Sequence, residues 1–224
     1  MRIALVTPEY PDCGPSYGIG AYVGVLARAL SQHAEIRIVT CTATGCYIGN
    51  PGDIFKRLRN SPPACLRPMA LASWLKCELD GWKPDIVEFS NWGGLGAVVH
   101  GDWLHVVRLS TPIALIPACT IMRWAARPAH RHWEQRTVQR ANLIIADSHA
   151  MATVCSRIYQ RKPDVVIPHA YDGPIDDPVI DGDNVLFVGR LEHRKGIDVL
   201  ITAWTTVQAQ CPSARLHLVG QDSD

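Results

Sequence analysis

The chain has 224 residues, 47% apolar and 19% charged, with a formal net charge of +1. The apolar share excludes a disordered chain, the charge balance excludes an overall field that would draw it to nucleic acid, and the length suits one large domain or one and a fraction. The first apolar run is ended by Pro8 and Glu9, too early for a secretory signal, and no run approaches the ~18 residues of a membrane span, so a cytoplasmic location is expected.

Short apolar strands are expected at residues 2–7, 35–40, 85–89, 106–109, 143–146, 165–167, 184–188 and 215–219. Most are rich in Val, Ile and Leu without strict alternation, the pattern of strands covered on both faces. Helix-sized stretches lie between them. The clearest are residues 18–32, with Val23, Leu26, Ala27 and Leu30 on one face, and residues 196–210, with Ile197, Leu200, Ile201, Trp204 and Val207 on one face. Alternating strands and helices predict an α/β protein with a doubly wound parallel sheet. Residues 45–68 carry Gly, Asn and several prolines and read as an irregular excursion or a broken helix. Residues 169–183, with Gly173, Pro174, Pro178, Gly182 and several aspartates, read as a linker. The expected division is a first domain over residues 1–170, a linker over 171–183 and an incomplete second domain over 184–224. Two strands and a helix cannot bury their apolar faces alone. An exposed apolar surface, and association through it, is expected there.

Eight cysteines are spread along the chain, with no C-x-x-C pair and no cysteine–histidine cluster of zinc spacing. Reduced, mostly buried thiols are expected. Asp181-Gly182-Asp183 and Asp222-Ser223-Asp224 have the D-x-D form of a metal site but fall in a linker and at a chain end, so no metal is assigned. Arg123, Arg127, Arg131, Arg136 and Arg140 recur at near-helical spacing among His130, His132, Trp124 and Trp133. They read as a solvated basic face, or as a peripheral contact with an anionic membrane surface. Lys56, Arg57, Arg59 and Arg67 form a looser basic patch, and His169 at a strand end reads as structural.

Two loops have the chemistry of a phosphate site. The first strand runs into Pro8–Gly20, a glycine-bearing loop that enters a helix. Glycines there admit backbone N–H groups to a phosphate, and the helix N-terminus adds partial positive charge. G-x-G-x-x-G is absent and so is a P-loop lysine, which removes a nicotinamide-dependent dehydrogenase. Tight packing is the competing account of these glycines. The second loop is Val185-Leu186-Phe187-Val188-Gly189-Arg190-Leu191-Glu192-His193-Arg194-Lys195-Gly196. Arg190 offers a planar fork of donors and Lys195 a point charge, and both suit a diphosphate. A solvated basic turn is the competing account.

Three segments resemble glycosyltransferase family 4, a family of the GT-B fold with two Rossmann-like domains. They are Tyr17-Gly18-Ile19-Gly20-Ala21-Tyr22-Val23 with Leu26–Leu30, Ala141–Ser148, and Val185–Gly196 with Arg215–Gly220. The resemblance implies a Rossmann-like N-terminal domain and the start of a donor domain. It implies retaining transfer of a sugar from a nucleotide-diphosphate sugar to an acceptor, without a metal or other cofactor. Arg190 and Lys195 fall on the diphosphate-binding pair, and Gly18 and Gly20 on the loop near the transferred sugar and phosphates. Ser110 stands where the family commonly has a histidine, and Tyr17 where the loop often has a further glycine. The family's paired glutamates are expected downstream of Asp224. A polypeptide of these residues is therefore expected to lack turnover, or to act as a binding module associating with a complete enzyme.

Overall fold

The structure is a computed structural model that describes residues 1–14, 16–42, 45–60, 62–63, 65–116, 121–173 and 182–221, with the backbone alone at 121–124. The chain divides into two compact units, Met1–Asp172 and Gly173–Asp224.

The first unit is built on β1 (Arg2–Thr7), whose residues after Arg2 are all buried. Ala4 and Val6 point into one apolar core and Ile3 and Leu5 into another, because successive strand side chains alternate between faces. That is why the strand reads as an unbroken apolar run. Among the described residues, eight strands form one sheet in the order β4-β3-β2-β1-β5-β6-β7-β8. β2 (Glu35–Cys41), β5 (Ile86–Ser90), β6 (Leu104–Arg108), β7 (Leu143–Ala146) and β8 (Val165–Val166) continue the parallel set begun by β1. α1 (Gly18–Leu30) covers one face with Tyr22, Val23 and Ala27. α2 (Arg67–Trp82), α3 (Ile121–Arg140) and α4 (His149–Tyr159) supply the other core through Leu71, Leu75, Leu79, Val138, Cys155 and Tyr159. Helices on both faces make the sheet doubly wound and Rossmann-like.

Residues 45–68 correct the expectation of an irregular excursion. β3 (Cys46–Gly49) and β4 (Lys56–Arg59) form an antiparallel hairpin on the free edge of β2. Pro51 and Gly52 serve the turn, where Gly52 has a φ of 86°, and Pro68 stands in the first turn of α2. A Cβ on Gly49 would lie 3.0 Å from the Phe55 ring. Lys56, Arg57 and Arg59 lie on the outer strand, where charge guards an open edge against further pairing. Arg67 donates Nη1 to the Cys41 carbonyl at 2.9 Å. Cys13, Cys41, Cys46 and Cys155 are buried, Cys65 is half-buried, and Cys77 and Cys211 are exposed. Cys119 lies outside the described residues.

The second unit holds β9 (Asn184–Val188), α5 (Ile197–Gln210) and β10 (Arg215–Val219), with the two strands parallel. Ala214 is its one buried residue among those described. Leu186 is 63%, Val188 70%, Val199 66% and Ile201 52% exposed, so both strand and helix leave apolar side chains uncovered. Ile197, Leu200 and Trp204 are half-buried. The 224-residue protein is expected to bind a hydrophobic dye or to self-associate through this surface. A monomer by sedimentation that leaves the dye dark would overturn that expectation.

Candidate functional site

Open α/β sheets bind ligands outside the carboxyl ends of their strands. The loop after β1 brings Glu9 back to the start of α1, where its Oε2 accepts the Tyr17 N–H at 2.6 Å. A carboxylate thus already faces the positive end of the helix. Gly18 and Gly20 begin that helix. A Cβ on Gly20 would lie 1.9 Å from Ser16 Oγ and 3.3 Å from the Glu9 backbone, whereas one on Gly18 would meet nothing within 4 Å. Gly20 is therefore closely packed, and Gly18 leaves open space at the helix start.

The loops after β5, β6, β7 and β8 converge beside α1. Arg108, at the end of β6, donates Nε to Glu88 Oε1 at 2.9 Å and Nη2 to Oε2 at 3.4 Å. The side chains of this pair are only 9% and 13% exposed. The Arg108 guanidinium lies 4.7 Å from the centre of the Tyr22 ring, and Tyr22 donates its hydroxyl to Glu88 at 3.3 Å. Burial, then the Glu88 charge, pushes the Tyr22 phenol well above its ordinary range, so it remains a donor. Arg108 Nη1 also reaches the Ile167 carbonyl at 3.4 Å, tying down the loop after β8. In that loop His169 packs 4.4 Å from the Tyr22 ring and pairs with Asp147 at 3.6 Å. Burial lowers its imidazole below the ordinary value, against the pull of Asp147. His169 is half-exposed at the carboxyl edge of the sheet, part of a cluster rather than a lone core residue.

Ser110 begins a second network. Its hydroxyl donates to Asn91 Oδ1 at 2.8 Å and its N–H to the same oxygen at 2.9 Å. The buried Asn91 donates Nδ2 to the Tyr159 hydroxyl at 3.1 Å, and Tyr159 donates to Glu134 Oε2 at 3.0 Å. Both Glu134 oxygens lie 3.2 Å from the Ile113 N–H. Glu134 is 4% exposed. Burial pushes its carboxyl up to about 7, against the Ile113 N–H, the Tyr159 hydroxyl and Arg131. The Ser110 proton is committed to this chain of donors, which holds the loop carrying Ser110 and Ile113 in place. Ser110 therefore offers lone pairs rather than a free proton.

In the second unit Arg190 follows the carboxyl end of β9. The strand ends are held together by Gly189 N–H to the Val219 carbonyl at 3.0 Å and Leu191 N–H to the Gln221 carbonyl at 2.9 Å. A Cβ on Gly220 would lie 1.7 Å from the Gly189 carbonyl oxygen, so glycine is required there. Arg190 and Arg194 both pair with Glu192, at 3.1 and 2.8 Å. Lys195 is exposed in a short 3₁₀ turn, one residue before the Gly196 cap of α5. The two sequence-designated cations are thus placed at one strand end and one helix start, with a carboxylate between them.

The remaining features separate. The arginines of α3 do not share a face. Arg127 donates Nη2 to the carbonyls of Ile113, Ala114 and Ile116 at 3.0, 3.1 and 2.6 Å, and Arg140 donates Nη1 to that of Ala97 at 2.6 Å. The five-residue step from Arg131 to Arg136 carries the stripe round the helix. The side chains of Arg123 and Trp124 lie outside the described residues, as do Asp181, Asp222 and Asp224 of the two D-x-D segments. Asp183 accepts a hydrogen bond from Ser213. Among the described residues no helix is long and apolar enough to cross a membrane. Sequence reasoning missed Glu88, Asn91, Glu134 and Tyr159. The available signal was a pair of opposite charges, Glu88 and Arg108, inside otherwise apolar strands.

Known families coincide with this division. The family described as Glycosyltransferase Family 4 matches residues 17–172, and that described as Glycosyl transferases group 1 matches residues 182–224. No curated protein matches the chain.

Proposed function

The chain belongs to glycosyltransferase family 4, and from that premise we propose that it serves retaining transfer of a sugar from a nucleotide-diphosphate sugar to an acceptor. The first unit is the acceptor side and the second the donor side. The observation that carries this reading is the position of Arg190 and Lys195, flanking the turn between the carboxyl end of β9 and the start of α5. Charge accumulates on a departing diphosphate as the sugar–oxygen bond breaks. Cations and helix amides fixed at that point stabilise it, and they take the place that a divalent metal fills elsewhere. A diphosphate also draws Arg190 away from Glu192. Gly18 and Gly20 lie on the corresponding loop of the first unit, and the open space beside Gly18 supports an approach there.

A second reading, a binding module that associates with a complete enzyme, is favoured by Ser110. Its proton is bound to Asn91, and a hydroxyl lacks the acid/base range of an imidazole. Both readings place the protein in the cytoplasm, with any contact at the inner membrane face made through the exposed Arg136 rather than through a shared arginine face of α3. The described residues of the second unit supply two strands and a helix to the donor side, and this unit is expected to bind the donor diphosphate. Calorimetric titration with UDP and GDP tests the assignment. One of them is expected to bind saturably, and Arg190→Ala and Lys195→Ala each to weaken it about tenfold or more, the worth of a hydrogen bond to a charged group. Unchanged affinity in both variants, or no binding of either nucleotide, would sink it.

A further inference from the structure

Trp103 Nε1 and His105 Nε2 are buried and have no hydrogen-bond partner. Both residues line one cavity of about 320 Å³, together with His100, Gly101, Arg140 and Asn142. His105 is the second residue of β6 and Asn142 immediately precedes β7. The cavity therefore lies at the amino ends of these strands, the opposite end of the sheet from Ser110, Asp147 and His169.

Its chemistry is one-sided. Arg140 Nη1 is held by the Ala97 carbonyl at 2.6 Å and lies 2.9 Å from His100 Nε2, and among the described residues no carboxylate pairs with Arg140, whose charge is left without a counter-ion. Asp102, the carboxylate of the same loop, makes no ion pair with it. The acceptors that would otherwise repel an anion are already used. The carbonyls of Val138, Gln139 and Ala141 at the end of α3 accept from Arg161 at 2.8, 3.0 and 2.7 Å. The His100 carbonyl accepts from Lys76 at 3.2 Å. Asn142 Oδ1 accepts the His105 N–H at 2.8 Å, which leaves its NH₂ group as a donor. What remains at the cavity is a guanidinium, an indole N–H, an amide NH₂ and two imidazoles. His105, buried and next to His100 and Arg140, is held down to about 4 and is a neutral ring at pH 7. With its proton on Nε2 that ring is one more donor.

We propose that this cavity binds a phosphate-type oxyanion, with Arg140 as the charged anchor and Trp103, His105 and Asn142 as neutral donors. The site is separate from the proposed transfer cleft, so it serves regulation or anchoring rather than the reaction itself. A soluble phosphate ester and a phospholipid headgroup present the same chemistry to these groups.

The test is a titration of ¹⁵N-labelled 224-residue protein, in one arm with inorganic phosphate and glycerol 3-phosphate, in the other with phosphatidylglycerol vesicles in phosphatidylcholine. The Trp103 indole and His105 ring signals are expected to shift saturably in at least one arm. The His105 titration should move upward, since a bound anion favours the imidazolium. Arg140→Ala is expected to weaken binding about tenfold or more, and Arg131→Ala, nine residues earlier on the opposite side of α3, to leave it unchanged. Saturation by the soluble esters identifies a free phosphate compound, and saturation by vesicles alone identifies a headgroup. If Arg140→Ala does not fold, His100→Ala, at an exposed side chain, takes its place. Absence of a saturable shift in both arms, or an undiminished one in the folded variant, overturns the proposal.

Discussion

Arg108→Ala is expected to lower the stability of the first unit by about 3–5 kcal/mol, because it strands a buried carboxylate. Glu88 would keep only the Tyr22 hydroxyl at 3.3 Å, and the Ile167 carbonyl would lose its donor. Arg108→Lys should rescue little, since an ammonium cannot span both Glu88 oxygens and lie flat over Tyr22. The comparison is Arg2–Glu35, whose side chains are 48% and 59% exposed. Breaking that pair is expected to cost less than about 1 kcal/mol. Removing both buried charges together, as Glu88→Leu with Arg108→Met, should recover most of the loss, because neither ion is then left uncompensated. Urea denaturation of these four variants and the parent protein measures this. A cost for Arg108→Ala no larger than that of an exposed pair would show that water reaches Glu88. The expected functional mark is a loosened loop after β8, with faster amide exchange at Ile167 and His169, since Arg108 is what ties that loop to the sheet.

The parallel sheet was legible because its strands are covered on both faces, so Ile3 to Val6 and Val106 to Val107 read as unbroken apolar runs. The family was legible because short motifs fall at strand–loop–helix junctions, as Arg190 and Lys195 do. The hairpin over residues 46–59 was not. Its strands are four residues each, too short for periodicity to separate from a loop, and Gly49, Gly52 and the nearby prolines have the signature of irregular chain. The donor network from Ser110 to Glu134 was also hidden, because it joins residues from the loops after β5 and β6 with α3 and α4. No local spacing reveals that. Glu134 in particular sits among five arginines, where a carboxylate reads as surface charge. Tertiary packing buries it beside Tyr159 instead, and the same packing sends the arginines to different sides of the helix.

That burial makes the ionisation of Glu134 costly to the first unit. Its carboxyl is raised from 4.5 to about 7, so the folded state holds a proton that the unfolded chain releases. The stabilisation is fully present below about pH 4.5, falls as pH rises, and is gone above about pH 7. The size is on the order of 3 kcal/mol, because each tenfold difference in proton affinity between the folded and unfolded chain is worth about 1.4 kcal/mol. Glu134→Gln removes the titration while its amide oxygen still accepts the Ile113 N–H. The variant is therefore expected to gain on the parent protein by on the order of 2–3 kcal/mol between pH 5 and pH 8, measured as the difference between their urea unfolding free energies. Other titrating groups, His105 among them, cancel in that difference. An equal gap at both pH values would mean that Glu134 is already ionised at pH 5 and that the bonds from Ile113 and Tyr159 outweigh its burial. If the gap opens as expected, the consequence reaches the cleft. Ser110 is tied to Glu134 through Asn91 and Tyr159, so its amide signal should titrate with the Glu134 carboxyl and stay flat in the glutamine variant.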